Sequence, residues 1–287
     1  MMQMSSSNIS FPLSITTFRI IRDLVNRRFG IFFQDSDRYL LESRLSSRIH
    51  ELHLSDFEQY TECLCDPDHS KELDGAIEVL TNNETYFFRE DYQLNAFAEE
   101  LLPRIRLQNE SRRQITIWSA GCSSGEEAYT IAMVINESRQ FSGWDIRIFG
   151  SDVSSRMLTR ARNGIFSKSA FRNTSDQLRD KYFTRSGNQW QVKPLIRNKC
   201  NFSKINLLDR EKAAILGKFD AIFCRNVLMY FDKKSRAGTI GMFHERLHPQ
   251  GYLLLGHTES LFNQRTSFVQ VNLRDALVYQ KEETHFD

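Results

Sequence analysis

Gly121-Cys122-Ser123-Ser124-Gly125 separates the apolar, β-branched run Ile115-Thr116-Ile117-Trp118 from the acidic pair Glu126-Glu127. The run reads as a buried strand. The acids read as the first turn of a helix, where carboxylates complement exposed amides and the positive end of the dipole. A strand, a loop of small residues and a helix N-terminus in that order offer backbone N–H groups to a nucleotide-like ligand. The loop lacks the third glycine of the dinucleotide fingerprint, and a tight strand-to-helix turn with no ligand would use the same residues. Asp152 closes the next apolar run, 27 residues after Gly125. An acid at the carboxyl end of a parallel strand can accept both hydroxyls of a ribose, although a compact dinucleotide site has its acid nearer ~20 residues on.

Three further stretches carry reactive residue types. Thr81-Asn82-Asn83-Glu84-Thr85-Tyr86-Phe87-Phe88-Arg89-Glu90 begins polar, runs through three aromatics and ends on charge. Thr81, Asn83 or Thr85 could cap a helix continuing through Phe97 to Ile105. As a plain linker, the stretch would plug a domain interface with its aromatics, which is compatible with a ligand site, since such sites favour domain junctions. Phe219 to Cys224 is another buried strand and runs into Arg225-Asn226. Arg44 and Arg48 lie one helical turn apart beside the stripe Leu41, Leu45, Ile49 and Leu52, a placement suited to gripping an acidic partner. A solvated face paired with the chain's own acids would look the same.

The elements that must position these residues divide in two. Up to about Ile77 the pattern is helical, with Ile15 to Phe29 as one helix, Thr16 or Thr17 as its cap and Gly30 as its stop. Arginines dominate Ile15 to Arg48, while eight acids against one lysine fill Glu51 to Asp74. Beyond the glycine loop, helices from Glu126 to Glu137, Met157 to Asn163 and Lys233 to Leu247 alternate with strands. Those strands are Ile115 to Trp118, Ile146 to Asp152, Asn201 to Ile205, Phe219 to Cys224 and Tyr252 to Leu255. Ser186-Gly187-Asn188 is turn chemistry for a small antiparallel insertion at about 165–202. Phe268 to Val271 and Ala276 to Tyr279 form a closing antiparallel pair. The sum is an open, doubly wound α/β sheet of about seven strands.

Composition excludes several classes. The 287 residues are 40% apolar and 26% charged, with a net charge of +2, so no global electrostatic case for nucleic acid exists. Cys63, Cys65, Cys122, Cys200 and Cys224 show no metal-ligand spacing and read as reduced thiols. His244, His248 and His257 read as structural. Met1 to Ser10 lacks a basic region followed by an apolar core, so no signal peptide is expected, and no apolar run approaches the ~18 residues of a membrane span. A cytoplasmic protein is expected.

An NAD site would share the glycine loop and strand-end acid, but hydride transfer would want the missing glycine. The antiparallel finish suits the sheet of an S-adenosylmethionine-dependent methyltransferase. The resemblance then becomes specific. The stretches 81–90, 118–127, 219–232 and Gly251-Tyr252-Leu253-Leu254-Leu255-Gly256-His257-Thr258-Glu259-Ser260 resemble, in order, the motifs of the CheR family of chemotaxis receptor glutamate O-methyltransferases. The likeness spans roughly Phe11 to Tyr279. Cys122 and Ser123 depart from the family's usual loop, but both are small.

The resemblance implies a Rossmann-like methyltransferase sheet of seven strands, a small all-helical N-terminal domain at 11–80 for receptor docking, and a linker at 81–95 that contributes to the cofactor site. The methyltransferase domain would occupy 96–287. The implied cofactor is S-adenosylmethionine, leaving as S-adenosylhomocysteine, with no metal. Its contacts would be Asn83, Thr85, Arg89, Glu126, Asp152, Asn206, Leu207, Arg225 and Asn226, with Asn206 and Leu207 flanking the adenine. Arg89 and Tyr230 would stand nearest the transferred methyl, and Arg44 and Arg48 would dock along the receptor's helical bundle. The β insertion is the region some family members use to bind a peptide at the receptor's C-terminus; whether this shorter one does is open. A monomer, with no nucleic-acid partner and no membrane insertion, is expected. A glutamate side chain, with a pKa near ~4.3, is ionised at neutral pH and can attack the sulfonium methyl in line, so no general base is required.

Two other classes stay open. An amino-group nucleic-acid methyltransferase would want an Asn/Asp-Pro-Pro-aromatic loop where this chain has Arg225-Asn226-Val227-Leu228. A non-catalytic module could keep cofactor affinity as a sensor, although Arg89 and Tyr230 lean toward an enzyme.

Overall fold

The computed structural model describes residues 11–66, 70–262, 264 and 266–282. Met1–Ser10, read for a signal peptide, Asp68 of the acidic run and the final residues 283–287 lie outside them. The chain divides into two units. One is Met1–Asn82 with Tyr230–Asp232; the other is Asn83–Met229 with Lys233–Asp287.

In the first unit, helix α1 (Ile15–Phe29) is capped by Ser14, whose hydroxyl accepts from the Thr17 N–H at 3.1 Å. Neither Thr16 nor Thr17 is the cap, because a cap must keep extended backbone and Ser14 is the last residue that does. Gly30 stops the helix at φ 77°. Helices α2 (Arg38–Glu51), α3 (Phe57–Cys65) and α4 (Ser70–Leu80) follow. Leu41, Leu45 and Ile49 are fully buried, as are Phe18, Ile21 and Val25 of α1. Leu52, the expected fourth member of the stripe, sits past the helix end and is 36% exposed.

The second unit opens on an extended linker. Helix α5 (Asp91–Ala96) starts only after Phe88 and Glu90, both left-handed at φ 57° and 53°, so Thr81, Asn83 and Thr85 cap nothing there. A π-helical turn, Phe97–Leu101, joins α5 to α6 (Leu102–Gln108), whose first turn holds Pro103. Then come β1 (Gln114–Ala120), α7 (Glu126–Glu137), β2 (Asp145–Asp152), α8 (Ser155–Asn163), β3 (Ile165–Ser167), α9 (Asp176–Tyr182), β4 (Phe183–Ser186), β5 (Gln189–Val192) and α10 (Pro194–Arg197). The chain finishes with β6 (Cys200–Lys204), α11 (Arg210–Ile215), β7 (Phe219–Cys224), α12 (Lys233–Arg246), β8 (Leu247–Leu255), β9 (Phe268–Asn272) and β10 (Leu277–Lys281).

The expected seven-stranded sheet is present, in the order β6-β2-β1-β7-β8-β10-β9. The first five strands are parallel, and β10 runs antiparallel to both neighbours. Strand order reverses between β1 and β7, which makes their carboxyl ends the topological switch point. The insertion is a separate three-stranded sheet, β3-β5-β4. Its hairpin was expected; β3 was not, because three residues with one buried side chain carry no readable alternation. Cys200 to Phe202 already belong to β6 of the main sheet, so the insertion is shorter than expected.

Candidate active site

The loop after β1 folds back on the end of β2. The N–H groups of Gly121 and Cys122 both donate to the Ser151 carbonyl, at 2.7 and 2.8 Å. Gly121 has φ 80°, and a Cβ there would come within 2.4 Å of a Val227 methyl, so only glycine allows this approach to the loop after β7. Ser123, also left-handed, donates its N–H to Asp152 Oδ2 at 2.8 Å, and the Ser154 N–H reaches Oδ1 at 2.9 Å. Asp152 is thereby fixed at the carboxyl end of β2.

Glu126 and Glu127 open α7. Both oxygens of Glu126 accept from the Ser124 hydroxyl, and Glu127 accepts from the Ser119 hydroxyl at 2.7 Å. Burial pushes both carboxyls above the ordinary range, against the pull of Arg225 on Glu127. Arg225, its side chain only 3% exposed, follows β7 and is held by three residues. It donates to the Arg89 carbonyl at 2.6 Å, to Glu90 at 3.1 Å and to Glu127 at 3.3 Å. Asn226, at φ 59°, donates from Nδ2 to Glu90 Oε1 at 3.3 Å. Burial opposes the Glu90 charge, but Arg225, Asn226 and the His257 N–H outweigh it and hold that carboxyl below the usual range.

The linker brings Arg89 to this network. Phe87 is fully buried among Phe166, Phe171 and Phe183, with ring centroids 4.8–5.1 Å away. Its N–H donates to the Ala170 carbonyl. The aromatics therefore pack inside the second unit, on the β insertion. The Ser123 hydroxyl donates to the Asn83 carbonyl at 3.1 Å, and Thr85 is half-buried in the same stretch. The Arg89 guanidinium stays 33% exposed; it donates to the Glu84 carbonyl at 3.2 Å and lies 5.9 Å from the Tyr86 ring centre. Arg172 covers the same ring at 3.7 Å and pairs with Glu84.

Asn206 and buried Leu207 lie just past β6, whose Lys204 is in register with Asp152. The Ile205 N–H donates to the Asp152 carbonyl, and Asn206 Oδ1 accepts from the Leu208 N–H. The structure thus brings together Asn83, Arg89, Glu126, Asp152, Asn206, Leu207, Arg225 and Asn226 at one edge of the sheet. Tyr230 falls with the helical unit, where its carbonyl accepts from the Phe32 N–H and its hydroxyl from Asn82. Arg44 and Arg48 belong to that unit too and are engaged within it. Arg44 donates to the Leu80 carbonyl at 2.6 Å; Arg48 pairs with buried Glu72 at 2.6 Å and with Glu51.

Sequence reasoning assigned no site role to Glu90 or Glu259 and read Glu127 only as an acid of a helix's first turn, though all three stand in the quoted motifs. The available signal was an acid inside an apolar motif, since a buried charge needs partners close by. Among the described residues no group of three or more His, Cys, Asp or Glu side chains could hold a metal ion, all five cysteines are free, and no helix is long and apolar enough to cross a membrane.

S-adenosylmethionine fits these residues. A strand-end carboxylate such as Asp152 has the acceptors that ribose hydroxyls need, a buried aliphatic side chain such as Leu207 offers an apolar face, and buried carboxylates favour a cation. Among the described residues Asn226 Oδ1 is a buried acceptor without a hydrogen-bond partner, which a ligand donor at this edge of the sheet would satisfy. A glycine loop at the switch point, a strand-end acid and an antiparallel closing strand define the fold of an S-adenosylmethionine-dependent methyltransferase. Residues 83–277 match the family described as "CheR methyltransferase, SAM binding domain", and residues 16–81 match "CheR methyltransferase, all-alpha domain". The chain belongs to the CheR methyltransferase family. It is 38% identical over 268 residues to chemotaxis protein methyltransferase 2 of Vibrio cholerae, covering 93% of each chain. It is 34% identical over 267 residues to a chemotaxis protein methyltransferase of Borreliella burgdorferi, covering 91% of this chain and 94% of that one. The Salmonella typhimurium chemotaxis protein methyltransferase is 34% identical over 271 residues, with 93% and 90% covered.

Proposed function

We propose that this chain methylates glutamate side chains of chemoreceptors, giving 5-O-methyl esters and setting receptor adaptation. The observation that carries the reading is Arg89, whose side chain is one-third exposed and whose backbone carbonyl is gripped by Arg225 beside Glu90 and Glu127. A cation so placed recognises an incoming carboxylate by charge-assisted hydrogen bonds. Asn83, Thr85, Arg89, Glu126, Asp152, Asn206, Leu207, Arg225 and Asn226 hold S-adenosylmethionine, which supplies an electrophilic methyl on a sulfonium. Arg89 orients the substrate carboxylate and Tyr230 shapes its approach. The carboxylate is already ionised, so no residue of the chain takes a proton; the protein contributes alignment and exclusion of water. S-adenosylhomocysteine leaves, and no metal takes part.

The helical domain at 11–80 docks the receptor bundle through α2, with Arg44 and Arg48 using donors their internal bonds leave over. The linker at 81–95 completes the cofactor site, and 96–287 forms the catalytic domain, acting as a monomer in the cytoplasm where receptor bundles lie.

The test is transfer of labelled methyl from S-adenosylmethionine to membranes holding a chemoreceptor, followed by mild alkali. Release of volatile methanol supports a carboxyl ester. Alkali-stable label, or no label with receptors of several classes, overturns the reading.

A further inference from the structure

Glu259 has no part in the roles assigned above, yet its carboxylate is 7% exposed and fully engaged. The N–H groups of Asn226 and Gly256 donate to Oε2, each at 2.8 Å. Those of Val227 and Met229 donate to Oε1, each at 3.0 Å. Four lone-pair sites thus meet four backbone donors. Three donors come from the loop after β7 and one from the end of β8. Backbone folded around an anion in this way forms a nest; here the chain fills it with its own side chain.

The nest fixes the residue beside it. Asn226 sits at φ 59°, a left-handed conformation that asparagine tolerates better than most residues and that its bonds here hold in place. Gly256 completes the confinement. A Cβ at that position would stand 2.7 Å from the Asn226 N, 2.8 Å from its Nδ2 and 2.9 Å from Glu259 Oε2. Glu90 holds Nδ2 from the other side. Among the described residues Asn226 Oδ1 is buried without a partner, and Arg225 is held one residue before it.

We propose that Glu259 is a positioning residue for the methyl donor, acting through Asn226 and Arg225 by holding the loop after β7 around its carboxylate. The inference rests on the proposed function. Glu259→Gln keeps the size of the side chain but turns an amide N–H₂ toward two of the four donors. Gly256→Ala presses on Asn226 from β8 and alters no charge. Each variant is checked for folding by circular dichroism, and S-adenosylmethionine binding is then measured by calorimetry beside steady-state kinetics with a chemoreceptor. Asp220→Asn serves as a structural control, because Asp220 is a buried carboxylate at the opposite end of β7 that accepts from the Thr116 N–H and Arg112.

In both test variants the dissociation constant and KM for S-adenosylmethionine rise at least tenfold, about 1.4 kcal/mol, while KM for the receptor is unchanged. Asp220→Asn lowers the melting temperature and leaves binding alone. Unchanged binding by folded Glu259→Gln and Gly256→Ala overturns the proposal, as does an equal loss in Asp220→Asn. If Glu259→Gln fails to fold, Gly256→Ala carries the decision. Failure of the wild-type chain to bind S-adenosylmethionine overturns the proposed function and this inference with it. Wild-type binding with unaltered variants overturns only the inference.

Discussion

Replacing Arg89 with alanine is expected to lower kcat by on the order of 100-fold, the loss typical of one preorganised polar contact to the reacting groups. Arg89→Lys recovers only part, because a point charge cannot reproduce the planar fork that meets a carboxylate. Methyl-transfer kinetics at saturating receptor check both. Asp152→Asn sets an amide N–H₂ against the Ser123 or Ser154 N–H and removes a charge, so S-adenosylmethionine binding weakens by roughly 1.5–3 kcal/mol; calorimetric titration decides. Glu90 makes a pH prediction. Its folded pKa is depressed, so its stabilising contribution is present above the ordinary carboxylate value near ~4.3 and is lost as pH falls through the folded value. Glu126 and Glu127 are shifted the other way and gain relative to the unfolded chain on acidification. Melting temperature should therefore fall less steeply below pH ~4.3 in Glu90→Gln than in wild type. An equal slope would sink the assignment. The place of Asp152 at a strand end was legible from the apolar run before it, whereas Arg89 and Arg225 were singled out as site residues through the motif resemblance. Glu259 was not legible, because its work lies in bonds to backbone groups, three of them in a segment some thirty residues earlier in sequence, and spacing says nothing about that.

At the scale of elements, the helices and parallel strands were readable from periodicity, with α7 matching its expected bounds from Glu126 to Glu137. The start of α5 was not, since Phe88 and Glu90 adopt left-handed backbone that nothing in their side chains announces. Helix α2 shows a second limit. The spacing of Arg44 and Arg48 gave their face but not their partners, and Arg48 turns inward to Glu72, which also accepts from the Tyr60 hydroxyl at 2.8 Å. Arg48→Ala leaves that buried carboxylate without its cation and should destabilise the helical unit by about 3 kcal/mol, read from denaturant unfolding. Receptor docking is better probed with Arg44→Ala, whose guanidinium donates to the Leu80 carbonyl and is not paired with a buried acid among the described residues. It should raise KM for the receptor and leave the affinity for S-adenosylmethionine unchanged; a fall in both would make α2 a structural element alone.

Across the whole chain, the fold class followed from alternating helices and strands and a closing antiparallel pair, but the placement of short segments did not. Three-residue β3 and the Tyr230–Asp232 stretch, which groups with the helical unit, depend on contacts distant in sequence. The linker aromatics are the clearest case. Three in a row could serve any interface; what commits Phe87 is a cluster built from Phe166, Phe171 and Phe183, three segments of the insertion. That cluster ties the insertion to the residue two before Arg89. Truncating Phe87 to alanine would leave a cavity and cost about 3–5 kcal/mol within the second unit. It would also free the backbone that Arg225 grips at the Arg89 carbonyl. Amide hydrogen exchange should then show protection falling across 83–90 and 165–192 while α1 to α4 keep theirs, and kcat should fall well below the fraction explained by unfolded protein. Loss of stability with kcat per folded molecule unchanged would mean that the cluster supports the insertion without aiming the arginine.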